Sequence, residues 1–143
     1  MTKQWAAGEI LGLANSYWQG FTLQAGVVLD LFTILETLEK DGEPMTVPEL
    51  ARAAKCDERA LGMLVSGLAS LDFLGLADGT ISLPVHSRKY LSQSSPEYVG
   101  FIIRHHAHIS VAWAKLAESV RTGAPSRDVS SSHTDSAEER EAF

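Results

Sequence analysis

Cysteine, basic charge and long apolar runs are all scarce in this sequence, and each shortage excludes a class of protein. The one cysteine, Cys56, has no partner for an internal disulfide, and the N-terminus lacks the basic and apolar regions of a secretory signal. The longest apolar run, residues 25–35, is interrupted by Asp30 and Thr33 and is shorter than the roughly 20 residues that span a bilayer. We therefore expect a soluble, cytoplasmic protein that does not enter a membrane.

Acidic residues outnumber basic ones, which bears on the partners of the protein. Eighteen aspartates and glutamates against twelve lysines and arginines give a net charge of -6 at pH 7, and this charge opposes attraction to a phosphate backbone. With 143 residues, of which 45% are hydrophobic and 21% are charged, the chain has the size and composition of one folded domain. Nucleic acid is therefore a disfavoured partner.

A glycine-rich turn between a strand and a helix is also absent. Nucleotide-binding domains of the doubly wound type need such a turn, because only glycine lets the backbone approach the cofactor closely. The eleven glycines are scattered, and no apolar strand leads into a Gly-x-Gly sequence. We predict no cofactor-binding residue in this chain.

Most of the patterning that is present is helical. Residues 9–17 and 21–38 have the apolar spacing of two helices, with Gly20 as the break between them. In the second segment Leu29 and Phe32 fall between the positions of the main apolar stripe, so apolar side chains cover most of the circumference of this predicted helix. A helix of this kind is buried on several sides, and in a domain this small we expect one of those sides to contact a second subunit.

Two helix starts follow. Thr46 and Glu49 have the spacing of a capping box in front of a short helix over Val47–Ala54. Asp57 is a suitable N-cap for a second helix that carries one apolar stripe. The pair predicts a helix-turn-helix.

A hairpin is predicted directly after this pair. The short apolar segments 73–76 and 80–83 flank Asp78-Gly79, a dipeptide that favours the tight turn of a β-hairpin. Residues 46–83 thus have the order of a winged helix. The predicted fold class is mainly α: a winged helix, made of a helix-turn-helix and a small β-hairpin wing, with long flanking helices in an intertwined dimer.

Winged helices serve both DNA reading and protein contacts, so the fold does not choose between them. Residues 57–71 contain Arg59 as their one cation and two acids at their start, and the hairpin segment 73–83 has no basic residue. A DNA-reading helix would offer several basic or amide side chains to the base edges. DNA binding is disfavoured, but a winged-helix transcriptional regulator or a stand-alone ligand-binding protein stays as the alternative function.

A long helical pattern opens at Ser95-Pro96-Glu97 and ends at Gly123, and Pro125 prevents its continuation. The residues that follow are mostly serine, aspartate, glutamate and arginine, which is typical of a linker. We predict a helical domain over residues 1–125 and a polar linker over residues 126–143.

Three histidines in the long helical pattern raise the question of a metal site. On a helix His105 and His108 share a face while His106 points about 100° away, and no nearby cysteine or carboxylate completes a ligand set. We predict no metal site and no catalytic residue in this chain. Trp113 fits core packing and pocket lining equally, and Asp30 fits either a functional carboxylate or the one strip of its helix that faces water.

Four segments carry a resemblance to a known family. Residues 29–32, Leu-Asp-Leu-Phe, are similar to a Leu-Gly-Leu-Phe segment with aspartate in place of glycine, and residues 46–51 are similar to a Thr-x-x-Glu-Leu-Ala helix start. Residues 61–76 form a leucine-rich run that ends in Gly-Leu, and residues 113–125 contain Trp-x-x-Leu followed by Val-Arg-Thr-Gly-x-Pro. In this order they resemble the N-terminal dimerisation domain of the caffeate and hydroxyindole type of S-adenosylmethionine-dependent O-methyltransferases, shared by plant phenolic and bacterial polyketide-tailoring enzymes.

The resemblance implies an intertwined homodimer and a long helix whose inner face closes, as a lid, over a small aromatic or polyketide-like acceptor. By position, the residues expected to line the substrate site are Phe21, Ile103, His105, His106, Ile109 and Trp113. The family's catalytic histidine and its S-adenosylmethionine site belong to a further domain. We therefore expect the chain to be a piece of a longer enzyme, or a natural relic of one, and to be inactive alone.

Overall fold

The computed structural model describes residues 3–39 and 45–125, which form mainly helices and one small antiparallel sheet. The helices are α1 (Ala7–Asn15), α2 (Tyr17–Val28), α3 (Leu31–Leu38), α4 (Val47–Ala54), α5 (Glu58–Ser70), α6 (Val85–Leu91), α7 (Gly100–Trp113) and α8 (Leu116–Thr122). The strands are β1 (Met45–Thr46), β2 (Gly75–Ala77) and β3 (Thr80–Ser82). The mainly α class is confirmed, and the predicted linker over residues 126–143 lies outside the described residues.

The first two helices follow each other with little interruption. The prediction that Gly20 separates them is wrong, because Gly20 lies inside α2 and the division falls at Ser16. Ser16 keeps right-handed helical torsion angles, so the chain continues in nearly the same direction. No single helix of the described residues is long and apolar enough to cross a bilayer, although the bent pair Ala7–Val28 and Leu31–Leu38 meets both criteria when taken together.

The single helix predicted over residues 21–38 is broken, so that prediction is also wrong. α2 ends at Val28, α3 begins at Leu31, and the two segments are bent by 51°. Asp30 causes the break, because its φ of 58° lies in the left-handed region, where an α-helix of L-residues cannot continue. This position is the one at which the family resemblance has glycine, the residue that adopts such a φ without steric cost.

The hydrophobic core lies where α2, α3, α4, α5 and the sheet meet. α2 and α5 approach closely at Gly26, where a Cβ atom would lie 3.0 Å from Leu68 Cδ1 and 3.1 Å from the Phe32 ring. A side chain at this position would force the two helices apart. The largest fully buried side chains of the core are Phe32, Leu31, Leu35, Leu50, Leu61, Leu68, Ile81, Val27 and Val65.

The predicted hairpin is confirmed. β2 and β3 pair antiparallel with Ala77 opposite Thr80, which leaves Asp78-Gly79 as a two-residue turn. Both turn residues have positive φ, 50° and 77°, as the favoured hairpin turn requires. β3 also pairs with β1, a third strand that no sequence pattern indicated, so the sheet order is β1-β3-β2.

Both predicted helix starts are confirmed. The Glu49 carboxylate accepts hydrogen bonds from the Thr46 main-chain amide at 2.9 Å and from the Thr46 hydroxyl at 2.6 Å. Asp57 Oδ1 accepts from the Ala60 amide at 2.8 Å. These bonds satisfy amide groups that a helix start leaves without partners.

The long helix predicted from residue 95 to Gly123 differs from the structure at both ends of α7. Residues 95–99 form turns, closed by a 2.9 Å hydrogen bond from the Val99 amide to the Tyr90 carbonyl oxygen, so α7 begins only at Gly100. The helix then stops at Trp113, and α8 begins as a separate helix. Gly123 ends α8 with a φ of 71°, as predicted.

Candidate functional site

α2 and α7 lie side by side and run in opposite directions. At one end, Arg104 Nη2 of α7 donates a 2.8 Å hydrogen bond to the Val27 carbonyl oxygen of α2. Towards the other end the helices border a cavity of about 630 Å³. Its lining residues are Tyr17, Phe21, His106, Ile109, Ser110, Trp113 and Ala114.

Four of the six residues predicted to bind substrate line this cavity. They are Phe21 on α2 and His106, Ile109 and Trp113 on α7. The other two lie outside the lining set: Ile103 packs against the hydrophobic core, and the His105 ring lies 6.3 Å from the His106 ring, measured between centroids. The substrate role of all six stays a prediction.

The sequence analysis did not predict three of the lining residues, Tyr17, Ser110 and Ala114. Tyr17 precedes Phe21 by one helical turn, and Ser110 follows His106 by one turn, so each shares a helix face with a predicted residue. Helical spacing could therefore have found Tyr17 and Ser110 once one position on each face was known. The Tyr17 and Phe21 rings meet edge to face, with centroids 6.0 Å apart.

The cavity is continuous with an exposed apolar surface on α1 and the first half of α2. We call it the N-terminal apolar surface, and it consists of Ile10, Leu11, Leu13, Tyr17, Trp18 and Phe21. No residue of α1 is buried in the single chain, and Ile10 and Leu13 are 54% and 63% exposed. On the opposite wall Trp113 is 66% exposed. Contiguous apolar surface of this kind is uncommon in monomeric proteins and marks a binding face.

A polar network holds the helix break that positions α2. Asp30 Oδ1 accepts hydrogen bonds from Thr33 Oγ1 at 2.8 Å and from Gln93 Nε2 at 2.9 Å, and lies 4.0 Å from Arg104 Nη2. Asp30 is of intermediate burial, and 38% of its side chain is exposed. The network explains how an aspartate holds a left-handed conformation here, since short polar side chains that bond locally tolerate that region.

A second polar cluster joins α3 to α6 and the turn after it. The Glu36 carboxylate accepts hydrogen bonds from the Ser92 and Ser94 hydroxyls, and Arg88 pairs with both Glu36 and Glu39. The serine hydrogen bonds are the main cause that lowers the pKa of Glu36 below its ordinary value of 4.5. None of these residues lines the cavity.

Three histidines lie on α7, at positions 105, 106 and 108. Over residues 3–39 and 45–125, no group of three or more His, Cys, Asp or Glu side chains is arranged to hold an ion. His106 faces the cavity with an aromatic and apolar set around it. It can contribute ring contacts and one hydrogen bond to a ligand there.

Comparison with known proteins places this arrangement in a family. The sequence profile of the O-methyltransferase dimerisation domain matches residues 11–91. The tetracenomycin polyketide synthesis 8-O-methyl transferase of Streptomyces glaucescens is 30% identical over 118 residues, and the 3-hydroxy-5-methyl-1-naphthoate 3-O-methyltransferase of Streptomyces sahachiroi is 28% identical over 118 residues. The matches cover 81% and 82% of this chain, and the chain spans 33% of the length of each relative.

Solved structures share the fold at lower identity. An O-methyltransferase family protein from Burkholderia thailandensis has a TM-score of 0.78 at 22% identity, covering 99% of this chain and 41% of that one. Human N-acetylserotonin methyltransferase in complex with SAM has a TM-score of 0.75 at 20% identity, covering 98% and 44%. Together with the profile match over more than half of the sequence, these findings show that the chain belongs to the O-methyltransferase dimerisation domain family.

Proposed function

We propose that this domain pairs two copies of its chain and forms one wall of the acceptor site of a small-molecule O-methyltransferase. The observation that carries the proposal is the continuity of the N-terminal apolar surface with the cavity between α2 and α7. Pairing through this surface would bury α1 and bring a second chain to the open side of the cavity. The contact that forms the dimer would then also help to enclose the acceptor site.

The exposure of α1 supports a second copy as the occupant of this surface. A helix of nine residues with no buried side chain has little to stabilise it in an isolated monomer. The Tyr17, Trp18 and Phe21 rings on the adjoining turns of α2 add the aromatic area that is enriched in protein interfaces. An isologous contact, in which the same surface of each chain meets its counterpart, buries these groups on both copies and gives an intertwined homodimer.

We infer that α4, α5 and the β2–β3 hairpin form a winged helix that supports the core rather than reads DNA. The face of α5 that points away from the core carries Arg59, Met63 and Ser66, with Glu58 in its first turn. One cation among neutral and acidic side chains does not make the positively charged surface that binding to a phosphate backbone requires. The regulator alternative therefore has no observation that favours it.

The cavity suits a small aromatic acceptor. Its volume of about 630 Å³ lies in the range of small-molecule sites, which are mostly apolar with a few placed polar groups. Phe21 and Trp113 offer ring faces and edges, while His106 and Ser110 offer polar atoms. Because the two Streptomyces relatives carry names of polyketide and naphthoate methyltransferases, we propose a polyketide-like aromatic acceptor for the whole protein.

S-adenosylmethionine, the methyl donor expected for the whole enzyme, does not fit the described residues. The strands in residues 3–39 and 45–125 are all antiparallel and are two or three residues long, and none is joined to a helix by a glycine-rich turn of the kind that binds a nucleotide. We propose that the S-adenosylmethionine site lies outside these residues. The bound sulfonium would supply the methyl group, while the residues of this domain orient the acceptor and exclude water from it.

Binding of 2-naphthol to the 143-residue chain tests the acceptor wall. Ligand-observed NMR or calorimetry should detect binding to the wild type, and Trp113→Ala should weaken it about tenfold or more, because that change removes an aromatic ring from the cavity lining. Trp5→Ala is the matched control, since Trp5 is an exposed tryptophan outside the cavity lining. Equal weakening by both substitutions, or no binding to the wild type, contradicts the proposal.

A further inference from the structure

The part of α7 that packs against the hydrophobic core ends just before the cavity begins. Ile103 packs against the core, and no apolar side chain of α7 after it does so. The next residue, Arg104, donates its 2.8 Å hydrogen bond to the Val27 carbonyl oxygen in the last turn of α2. His106, the first lining residue of α7, follows two positions later. The cavity wall on α7 is therefore the part of this helix that extends beyond its attachment to the core.

A small change in the direction of α7 has a large effect at the far end of the cavity. Trp113 lies nine positions after Arg104, about 13.5 Å along an α-helix with a rise of about 1.5 Å per residue. A tilt of about 10° at Arg104 would therefore move Trp113 by about 2 Å. Packed contacts respond to a change of a single methylene group, so the orientation of α7 decides which ring systems fill the space between α2 and α7.

The Asp30 carboxylate holds the Arg104 side chain towards α2. Asp30 Oδ1 lies 4.0 Å from Arg104 Nη2 and accepts hydrogen bonds from Thr33 and Gln93. Both members of the pair are partly exposed, so their attraction adds little to the stability of the domain. It does keep the guanidinium on the side of α7 where the Val27 carbonyl lies. A glycine at position 30 would adopt the same backbone conformation and lose this contact.

Resting on the acceptor site proposed above, we propose that Arg104 and Asp30 are positioning residues, which hold α7 at a set distance from α2 and thereby determine the size of aromatic acceptor that the cavity takes. Neither side chain lines the cavity, so both act through α7 rather than through contact with the ligand. A fused ring system would contact Phe21 on α2 and Trp113 on α7 together, whereas a single ring can rest against one wall. Binding of fused rings therefore depends on the spacing of the helices, and binding of single rings does not.

Two phenolic ligands of different size test this role. The affinities of 2-naphthol and phenol are measured by ligand-observed NMR for each variant, at a temperature where circular dichroism shows that variant to be folded. The wild type should prefer 2-naphthol about tenfold, because the second ring adds apolar area that a correctly spaced cavity buries. In Asp30→Gly and in Arg104→Met the affinity for 2-naphthol should fall about fivefold or more, while that for phenol stays within about twofold.

Matched variants separate positioning from a general loss of structure. Asp72→Gly makes the same change at another aspartate with a positive φ, here 61°, and Arg59→Met makes the same change on the exposed face of α5. Both should keep the wild-type preference. Arg104→Lys keeps a cation that can reach the Val27 carbonyl oxygen and should restore part of the preference. The double variant Asp30→Gly with Arg104→Met should bind 2-naphthol no more weakly than Arg104→Met alone, because both changes remove the same connection.

The outcomes distinguish this inference from the acceptor site on which it rests. If Asp30→Gly and Arg104→Met keep the wild-type preference, the inference is wrong while the acceptor wall stands. If both variants lose the two ligands equally, or if Asp72→Gly loses the preference as well, the effect is a general one on the fold and the inference is again wrong. If the wild type binds neither ligand, the acceptor wall itself fails, and the inference fails with it.

Discussion

The Arg104 guanidinium donates a hydrogen bond of 2.8 Å to the main-chain carbonyl oxygen of Val27, 77 positions earlier in the chain. That carbonyl belongs to the last turn of α2, where helix carbonyls lack partners within the helix and attract positive charge. Arg104 also lies 4.0 Å from Asp30 at the break between α2 and α3. One side chain thus joins the helix of the N-terminal apolar surface to the helix that forms the opposite cavity wall.

Replacement of Arg104 by methionine should destabilise the domain. The variant keeps much of the apolar stem and loses the charged donor, so we expect the free energy of unfolding to fall by about 1–2 kcal/mol, since hydrogen bonds to charged groups contribute about 1.5–3 kcal/mol and this one is partly exposed. Urea denaturation followed by circular dichroism measures the change. Arg59→Met, on the exposed face of α5, should stay within about 0.5 kcal/mol of the wild type. Equal losses in the two variants contradict the account.

Two substitutions at Asp30 separate its hydrogen bonds from its backbone conformation. Alanine removes the contacts with Thr33 and Gln93 and keeps a Cβ atom in the left-handed region, at a cost of about 1–2 kcal/mol. Glycine removes the same contacts but adopts this φ freely. We therefore expect Asp30→Ala to be less stable than Asp30→Gly by about 1 kcal/mol in urea denaturation. The opposite order would show that backbone strain does not govern this position.

Acidification should release the Glu36 cluster. The folded pKa of Glu36 is lowered from 4.5, mainly by the Ser92 and Ser94 hydrogen bonds, so its contribution to stability is fully present above about pH 4.5 and is lost as the pH falls through the folded pKa. The melting temperature of the wild type should exceed that of Glu36→Gln at neutral pH, and the difference should shrink below about pH 4.5. Glu118→Gln, at an exposed position of α8, should show no such trend. A difference that is constant with pH contradicts this prediction.

The features predicted correctly from the sequence depend on neighbouring residues. The Thr46–Glu49 and Asp57–Ala60 caps and the Asp78-Gly79 turn are each decided within four residues, so their signals survive in any tertiary context. The break at Asp30 was missed because apolar spacing continues across it. It is held by Gln93 and Arg104, more than 60 positions away, and a periodicity argument does not include such distant partners.

The candidate site also combines residues that could be predicted from the sequence with residues whose position depends on tertiary packing. The family resemblance suggested His106, Ile109 and Trp113 of α7 by position, and the structure has all three at the cavity. His105, one position before His106, does not line it. Of the two α2 residues at the cavity, Phe21 was expected from the family resemblance, whereas Tyr17 was not, because the choice depends on which face of α2 is turned towards α7.

The solution mass of the 143-residue chain, measured by light scattering over a range of concentrations, tests the central claim most directly. We predict a dimer of twice 15.5 kDa for the wild type. The double variant Ile10→Asp with Leu13→Asp should be a monomer, because it places charges in the N-terminal apolar surface, whereas Met63→Asp, at an equally exposed position of α5, should remain a dimer. A wild type that is monomeric at every concentration, or a double variant that stays dimeric, would contradict the claim that this surface joins two copies of the chain.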